Sequence, residues 1–406
     1  MRRALIIIAI VIVLAGAGAA AYFYFFAGGT AGITTVPGGS TSLPVAGVTA
    51  PGPGAGSATA STSTSPTSAP TIVSARLVKI SAGPVVPGEI ITDIKKATAS
   101  SSAETTINYV ERQSGNLYSY LVNARTNTRI SNRTIPGIQS ATWFPNASST
   151  IVRYLSGADF STINSYVLPV NGSVGSGFFL PQNLSDAAVS VAGILTLTSG
   201  GNGSVASLAR ADGTHASQVF TTPLSALRIS FAGKNQYLAF TKPSARLPGV
   251  AFLVDAAGRF SRVAGPLSGL VALASPSGKW LLVSYANGGT MQMELVNTAS
   301  NAVLPLPVST IADKCAWTAD DSAVYCGIPV EPSPNFNYPD DWYQGAVSFS
   351  DRIWKIQVSG RYAQLVLDFS TANSGALDAE ALAVNPLNTV LSFVNKNDGS
   401  LWSYQL

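Results

Sequence analysis

Short apolar runs alternate with polar turns along most of this chain, and the alternation returns at a fixed interval. Tyr237-Leu-Ala-Phe, Trp280-Leu-Leu-Val and Ala323-Val-Tyr-Cys are each introduced by a polar turn. Those turns are Phe231-Ala-Gly-Lys, Ala274-Ser-Pro-Ser-Gly-Lys and Trp317-Thr-Ala-Asp-Asp-Ser, spaced 43 residues apart. Val384-Asn-Pro-Leu-Asn before Val390-Leu-Ser-Phe-Val is a further copy, and Trp143-Phe-Pro-Asn an earlier one. Short apolar runs bounded by such residues predict strands, and from Thr71 onward no long amphipathic helical pattern competes with them. A second series of turns lies later in each unit: Val122-Asn-Ala-Arg-Thr-Asn, Val170-Asn-Gly-Ser, Arg210-Ala-Asp-Gly-Thr, Val254-Asp-Ala-Ala-Gly-Arg, Val296-Asn-Thr-Ala-Ser-Asn and Val358-Ser-Gly-Arg. Asn, Asp and Gly tolerate the left-handed backbone of hairpin turns, so this series predicts the link between third and fourth strands of successive units. Units of about 40–50 residues built from short strands predict an all-β fold, a β-propeller.

The chain stops inside such a unit. Asn397-Asp-Gly-Ser leads into Leu401-Trp-Ser-Tyr-Gln-Leu with no fourth strand after it. An open sheet edge there would template aggregation. Thr71 to Ile80 is placed to supply the missing strand and close the ring. Counted this way there are seven blades. Six or eight stay open as alternatives, because the repeat is blurred between Val189 and Leu197.

Ser275-Pro-Ser-Gly-Lys-Trp-Leu-Leu-Val resembles the strand-turn-strand motif of TolB-type and WD-repeat-like bacterial propellers, in which a Pro-Asp-Gly-Lys turn joins two inner strands. Ser277 stands in place of the Asp, and other copies keep only the apolar frame. The resemblance covers most of 71–406 at the level of the fold. It implies a propeller and a loose association with protein binding, with no particular partner.

The front of the chain reads differently. Ala4 to Phe26 is an unbroken apolar and small-residue run behind Arg2 and Arg3. At 1.5 Å per residue it spans about 34 Å as a helix, enough for a hydrocarbon core. The positive-inside rule then places the N-terminus in the cytoplasm and the remainder outside. Residues 1–26 are therefore expected to be a single-pass transmembrane signal-anchor, with the membrane as a partner through 4–26. The rival reading is a cleaved signal peptide, for which Ala15-Gly-Ala-Gly-Ala-Ala-Ala offers small-residue sites. With no Cys nearby, a lipoprotein anchor is excluded. Residues 27–70, rich in Gly, Pro, Ser and Thr, cannot bury enough apolar surface to offset ordering entropy, which predicts a disordered linker before the domain at 71–406.

Charged residues make up only 11% of the 406, where roughly 25% is usual. Arg2 and Arg3 supply half of the net charge of +4. Without a basic stripe, no nucleic-acid partner is expected. No phosphate-binding glycine loop or nucleophile elbow occurs, so no cofactor is expected. The sole histidine, His215, follows the Asp212-Gly-Thr turn, and a surface position suits it better than a general-base role.

Cys315 and Cys326 flank a turn centred between Asp320 and Asp321, which puts them directly opposite each other on adjacent antiparallel strands. An exported domain favours their oxidation to a cross-strand disulfide, with two buried thiols as the alternative. A two-Cys set is incomplete for a metal, and none is expected.

The most unusual segment lies between these cysteines and the next strand: Pro329-Val-Glu-Pro-Ser-Pro-Asn-Phe-Asn-Tyr-Pro-Asp-Asp-Trp-Tyr-Gln-Gly. A long insertion in a compact repeat is often functional. It gathers Phe336, Tyr338, Trp342 and Tyr343 beside Asp340 and Asp341, a composition suited to a protein or glycan surface. The opposing possibility is that Trp342 and the tyrosines fold back over their own blade. Asp340, Asp341 and Asp351 match no calcium-loop spacing.

The expected function is a membrane-anchored, extracytoplasmic propeller acting as a non-enzymatic binding or scaffold domain of the cell envelope, with an envelope protein or glycan as partner. The alternative is a propeller enzyme acting on extracellular glycan or peptide. It would use converging acids at the channel, with Asp340, Asp341 and Glu331 as the nearest candidates. No catalytic residue is assigned, and the scarcity of Arg, Glu and His leans away from an enzyme.

Overall fold

The structure is a computed structural model and describes residues 70–94, 104–170, 176–372 and 374–406. The expected anchor at 4–26 and the linker up to residue 69 lie outside the described residues. Among the described residues no helix is long and apolar enough to cross a membrane.

Seven antiparallel sheets follow one another along the chain. We number them blades 1 to 7. Their first strands are Ile90–Ile94, Ile138–Trp143, Asp186–Ser190, Leu227–Phe231, Val271–Ala274, Cys315–Trp317 and Ala379–Val384. First strands touch between blades 2 and 3, 3 and 4, 6 and 7, and 7 and 1, so these strands line the inside of a ring that the last blade closes onto the first. The fold is thus a seven-bladed β-propeller, which settles the count.

Closure comes from the N-terminal side of the domain. In blade 7 the third strand, Leu401–Gln405, pairs with Leu77–Lys79 in the register Leu77↔Tyr404 and Lys79↔Trp402. Leu77 and Val78 are buried there. A further short strand, Thr71–Ile72, covers the outer edge. The hydrogen-bonding groups of the last blade are therefore satisfied by the start of the domain rather than left open.

The repeated turn has one physical origin. In blades 2, 5, 6 and 7 the turn from first to second strand closes with the same hydrogen bond: Phe144 N–H to Ser149 O, Ser275 to Trp280, Thr318 to Ala323 and Asn385 to Val390. The fourth turn residue has positive φ in every case: Ala147, Gly278, Asp321 and Asn388. In blade 5 only glycine fits, because a Cβ on Gly278 would lie 2.4 Å from Ala232 O of the preceding blade. Blade 3 lost the signature because its turn is only Val191-Ala192, between Ser190 and Gly193. Val191 is 93% exposed there, as nothing packs on so short a hairpin.

Apolar side chains interlock between blades rather than in one central core. The largest cluster joins blades 4, 5 and 6 and includes Leu282, Val283, Leu295, Val324, Ile356, Tyr338 and Trp342. Cys315 and Cys326 form the expected disulfide, with Cα atoms 4.1 Å apart. Thr318 and Ala323 are a hydrogen-bonded pair, and alternation along the ladder makes 315 and 326 a non-hydrogen-bonded pair, the closer of the two kinds.

Candidate functional site

Each first strand begins at the same end of the ring. The connections between blades and the loops between second and third strands lie at that end too, so one mouth of the propeller gathers them. The long segment 330–350 links the second and third strands of blade 6, Ala323–Pro329 and Asp351–Gln357, and therefore belongs to this mouth.

The segment is docked rather than free. Tyr338 and Trp342 are 2% and 3% exposed. Phe336 is half-buried against the same core. Of the two possibilities for the loop, Trp342 and Tyr338 follow the fold-back: they anchor it, because their apolar area is better buried on blades 5 and 6 than left in water. Tyr338 also donates from its hydroxyl to Ser333 O at 2.7 Å. Asp340 and Asp341 open the short helix Asp340–Tyr343. Asp340 Oδ2 accepts from the Ala245 amide of blade 4 at 2.7 Å, and Asp341 Oδ2 from the Asn337 amide at 2.7 Å. Glu331 is exposed on the stem of the loop. Asp340 and Asp341 are thus each engaged by a backbone amide, while Glu331 is exposed to solvent. His215 is exposed, with Thr214 Oγ1 2.8 Å from its Nδ1.

Gly269 records how closely the loop packs. It has φ +66°, and a Cβ there would fall 2.6 Å from Tyr338 O and 2.9 Å from Pro339 Cδ. Gly269→Ala is therefore expected to cost about 1–3 kcal/mol through strain and clash. It should also expose 333–345 to limited proteolysis. Gly345→Ala, also at positive φ but with open space around it, is the control that carries strain without dislodging the loop.

Beneath the loop lies a charged cluster that sequence reasoning missed. Lys314 is fully buried. Its Nζ pairs with Asp351 Oδ2 at 2.8 Å and with Asp378 Oδ1, and donates to Ala379 O at 3.0 Å. Asp378 Oδ2 also accepts from Trp342 Nε1 at 3.0 Å and from the Phe349 amide at 2.9 Å. Asp351 Oδ2 accepts from the Ala379 amide at 2.7 Å. The Lys314 and Lys396 ammonium groups each lie 4.9 Å from the Trp342 ring centroid, adding cation–π attraction. Two carboxylates on one ammonium leave an excess negative charge inside the protein. Burial, offset by Lys314 and reinforced by Asp378, accordingly raises the Asp351 carboxyl to about 6.

The accessible part of the mouth lies beside this lock. Tyr343 is 37% exposed. Its hydroxyl donates to Asp313 Oδ2 at 2.7 Å, and Arg228 Nη1 meets the same oxygen at 2.6 Å. Its ring leans on Trp342 with centroids 5.4 Å apart. The side chains of Arg228 and Asp313 stay partly open to solvent. Asp186 heads the first strand of blade 3 and accepts from the Ile229 amide at 2.8 Å; burial raises its carboxyl. At blade 1, Glu89 is buried and accepts from Ser392 Oγ at 2.8 Å through Oε1, while Oε2 has no partner among the described residues. Burial raises this carboxyl to about 7.

One signal could have revealed part of this. Arg228 and Lys314 stand at equivalent positions of their units, two intervals of 43 apart, where the intervening unit has Val271. Charge at a repeat position otherwise filled by an apolar side chain marks the mouth.

No protein-family model matches the chain, and no curated protein matches its sequence. Solved structures do. The GH74 xyloglucanase from Xanthomonas campestris aligns at TM-score 0.53 and 14% identity, over 79% of this chain and 52% of that one. An oligogalacturonate lyase from Vibrio parahaemolyticus aligns at 0.50 and 9% identity, over 81% and 93%. The β-propeller domain of the Trilobed protease from Pyrococcus furiosus aligns at 0.49 and 7%, over 79% and 93%. At these identities the likeness is one of fold alone: the chain is similar to propeller proteins, and no activity follows from it.

Proposed function

We propose that this chain is a non-enzymatic binding domain of the cell envelope, held outside the cytoplasmic membrane by residues 4–26 and recognising a protein or glycan at the mouth of its propeller. The observation that carries this reading is the docked loop. It fixes an exposed Tyr343 ring against the Arg228–Asp313 pair, a preorganised surface that loses little side-chain entropy on binding. The disulfide supports export, since such bonds persist in oxidising compartments. The Ser275-Pro-Ser-Gly-Lys turn supports a TolB-type relation and with it a protein-binding role.

The carboxylates around Tyr343 are already engaged. Asp313 faces Arg228 and Tyr343, Asp351 and Asp378 face Lys314, and Asp340 and Asp341 accept from backbone amides. Such groups serve architecture better than proton transfer. A second reading, an enzyme acting on extracellular glycan or peptide, is favoured by Glu89, a carboxyl held near neutrality with one free oxygen. The xyloglucanase and the lyase share the fold, which by itself is no warrant for shared chemistry.

The test is cross-linking capture from intact envelopes with the full chain and with Tyr343→Ala at matched thermal stability. The binding reading expects a specific partner that the variant loses. An unchanged partner list would contradict it. Turnover of a glycan or peptide that Glu89→Gln abolishes would establish the enzyme instead.

A further inference from the structure

We propose that Lys314 and Asp378 are placed to join covalently, through an amide between Lys314 Nζ and Asp378 Cγ, with Asp351 carrying the protons. The ion pair is the precursor of this bond, and the proposal is independent of what the mouth binds.

Three features carry it. The first is contact away from water. Lys314 and Asp378 are fully buried and Asp351 is 2% exposed. Lys314 Nζ pairs with Asp378 Oδ1, and the Trp342 and Phe349 rings lie over the ammonium with centroids 4.9 and 5.0 Å away. In water an amine and a carboxylate persist as ions because each is hydrated. Buried, both have lost that hydration, and a neutral amide escapes the desolvation cost that the ion pair carries. Fixed contact also replaces the chance encounter of two free groups.

The second feature is the setting of Asp378 Oδ2. It accepts from Trp342 Nε1 at 3.0 Å and from the Phe349 amide at 2.9 Å, while the indole lies further from Oδ1, at 3.2 Å. Two N–H donors on one oxygen stabilise the negative charge that grows there when nitrogen adds to Cγ. Oδ1, which faces the lysine, is the oxygen that leaves. The third feature is Asp351. Its Oδ2 lies 2.8 Å from the same Nζ, and its buried Oδ1 has no partner among the described residues. Burial raises this carboxyl to about 6, so it takes up and gives back a proton readily near neutral pH.

The step balances without an outside reagent. Asp351 takes a proton from the Lys314 ammonium, and the freed lone pair adds to Asp378 Cγ. The C–N bond forms and the C–Oδ1 bond breaks. Two of the three ammonium protons pass through Asp351 to Oδ1, which departs as water; nothing is oxidised or reduced, and Asp351 ends as it began. Oδ2 stays as the amide carbonyl oxygen and still accepts from Trp342 and Phe349, so the mouth loop remains docked. Lys314 precedes the first strand of blade 6 and Asp378 that of blade 7, so the bond closes a covalent loop around the whole of blade 6.

The experiment is peptide mapping of the full chain, reduced to open the disulfide. Trypsin does not cleave after an acylated lysine. Lys314 is therefore expected to stay uncut within 280–352, joined to 362–396 in one branched species lighter by one water than the two peptides together. The nearly isosteric Asp351→Asn should slow the linking by about 100-fold or more in pulse-labelled chain. A cooperative melt above the assay temperature verifies that this variant folds. On a denaturing, reducing gel the linked wild type should run ahead of it, because its loop stays closed. A wild-type chain kept folded for days, with Lys314 cleaved normally and no water lost, would overturn the proposal without recourse to any variant. Water lost within 280–352 alone would place the bond on Asp351 and overturn the assignment, and so would linking of Asp351→Asn at the wild-type rate.

Discussion

Replacing Asp378 with alanine is expected to lower the unfolding free energy by about 3–5 kcal/mol, the range for breaking a buried ion pair by removing one partner. The size follows from what the change strands. Lys314 would keep one carboxylate of its two, while the Trp342 indole N–H and the Phe349 amide would lose their acceptor, all in the buried interior. A buried donor without an acceptor costs its desolvation in full, whereas the hydrogen bond it replaces was worth only a modest net amount. Asp378→Asn keeps a side-chain oxygen for part of this set and should fall between wild type and alanine. Guanidinium-induced unfolding measures the loss. A difference below about 1 kcal/mol would place the cluster among surface-like pairs of little consequence. Loss of the lock should also release 330–350, so the variant should be nicked there by protease at concentrations that leave the native protein whole.

Stability is expected to rise as pH falls from 8 towards 5. Burial raises the Asp351 carboxyl to about 6 and that of Glu89 to about 7 in the folded state. Because both folded values exceed the unfolded ones, the folded protein binds more protons in this window. Their favourable contribution is therefore complete below the unfolded pKa and is lost as pH rises through about 6 for Asp351 and about 7 for Glu89. A shift of about two pKa units corresponds to about 3 kcal/mol for each group. Denaturation curves from pH 5 to pH 8 should show the slope. Glu89→Gln, which is nearly isosteric and can still accept from Ser392, should flatten the upper part of it and leave the protein at least as stable at pH 8. Asp351→Asn should flatten the lower part. A wild-type stability that instead climbs from pH 5 to pH 8 would mean that both carboxyls are better solvated than their burial implies. Acid loss should come only below this window, where carboxylates held below their usual range take up protons, among them Asp320 at about 2, lowered by its hydrogen bonds from Thr318 and Ser322.

The ring was legible because its cause is local. Ala147, Gly278, Asp321 and Asn388 occupy one left-handed turn position, and the turn, the apolar run after it and their spacing are all written within a few neighbouring residues. Pairing of Cys315 with Cys326 was legible for the same reason, since hairpin arithmetic fixes which residues oppose each other. Closure by Thr71 to Ile80 followed from the unpaired strand at the other end. The lock was not legible. Lys314 precedes the first strand of blade 6, Asp351 begins its third strand, and Asp378 precedes the first strand of blade 7; only the stacking of adjacent sheets brings them together. Composition alone could not separate a buried aromatic from an exposed one. Trp342 and Tyr343 are neighbours with similar chemistry, yet the helical turn at 340–343 turns one into the core and the other towards the mouth. The insertion drew attention for its aromatics; of these Tyr343 stays exposed, while Tyr338 and Trp342 are buried and hold the loop in place.

The account stands on the loop being part of the rigid mouth, and amide hydrogen exchange on the full chain tests that most directly. The Phe349 amide, bound to Asp378, and the Gln344 and Ala346 amides, bound to Asp340 O and Asp341 O, should exchange slowly, like the strands of blade 6. Tyr343→Ala should leave that protection unchanged, and Asp378→Ala should remove it. Exchange of 335–349 at the rate of an unstructured chain in the native protein would contradict the account, because Tyr343 would then have no fixed surface to present.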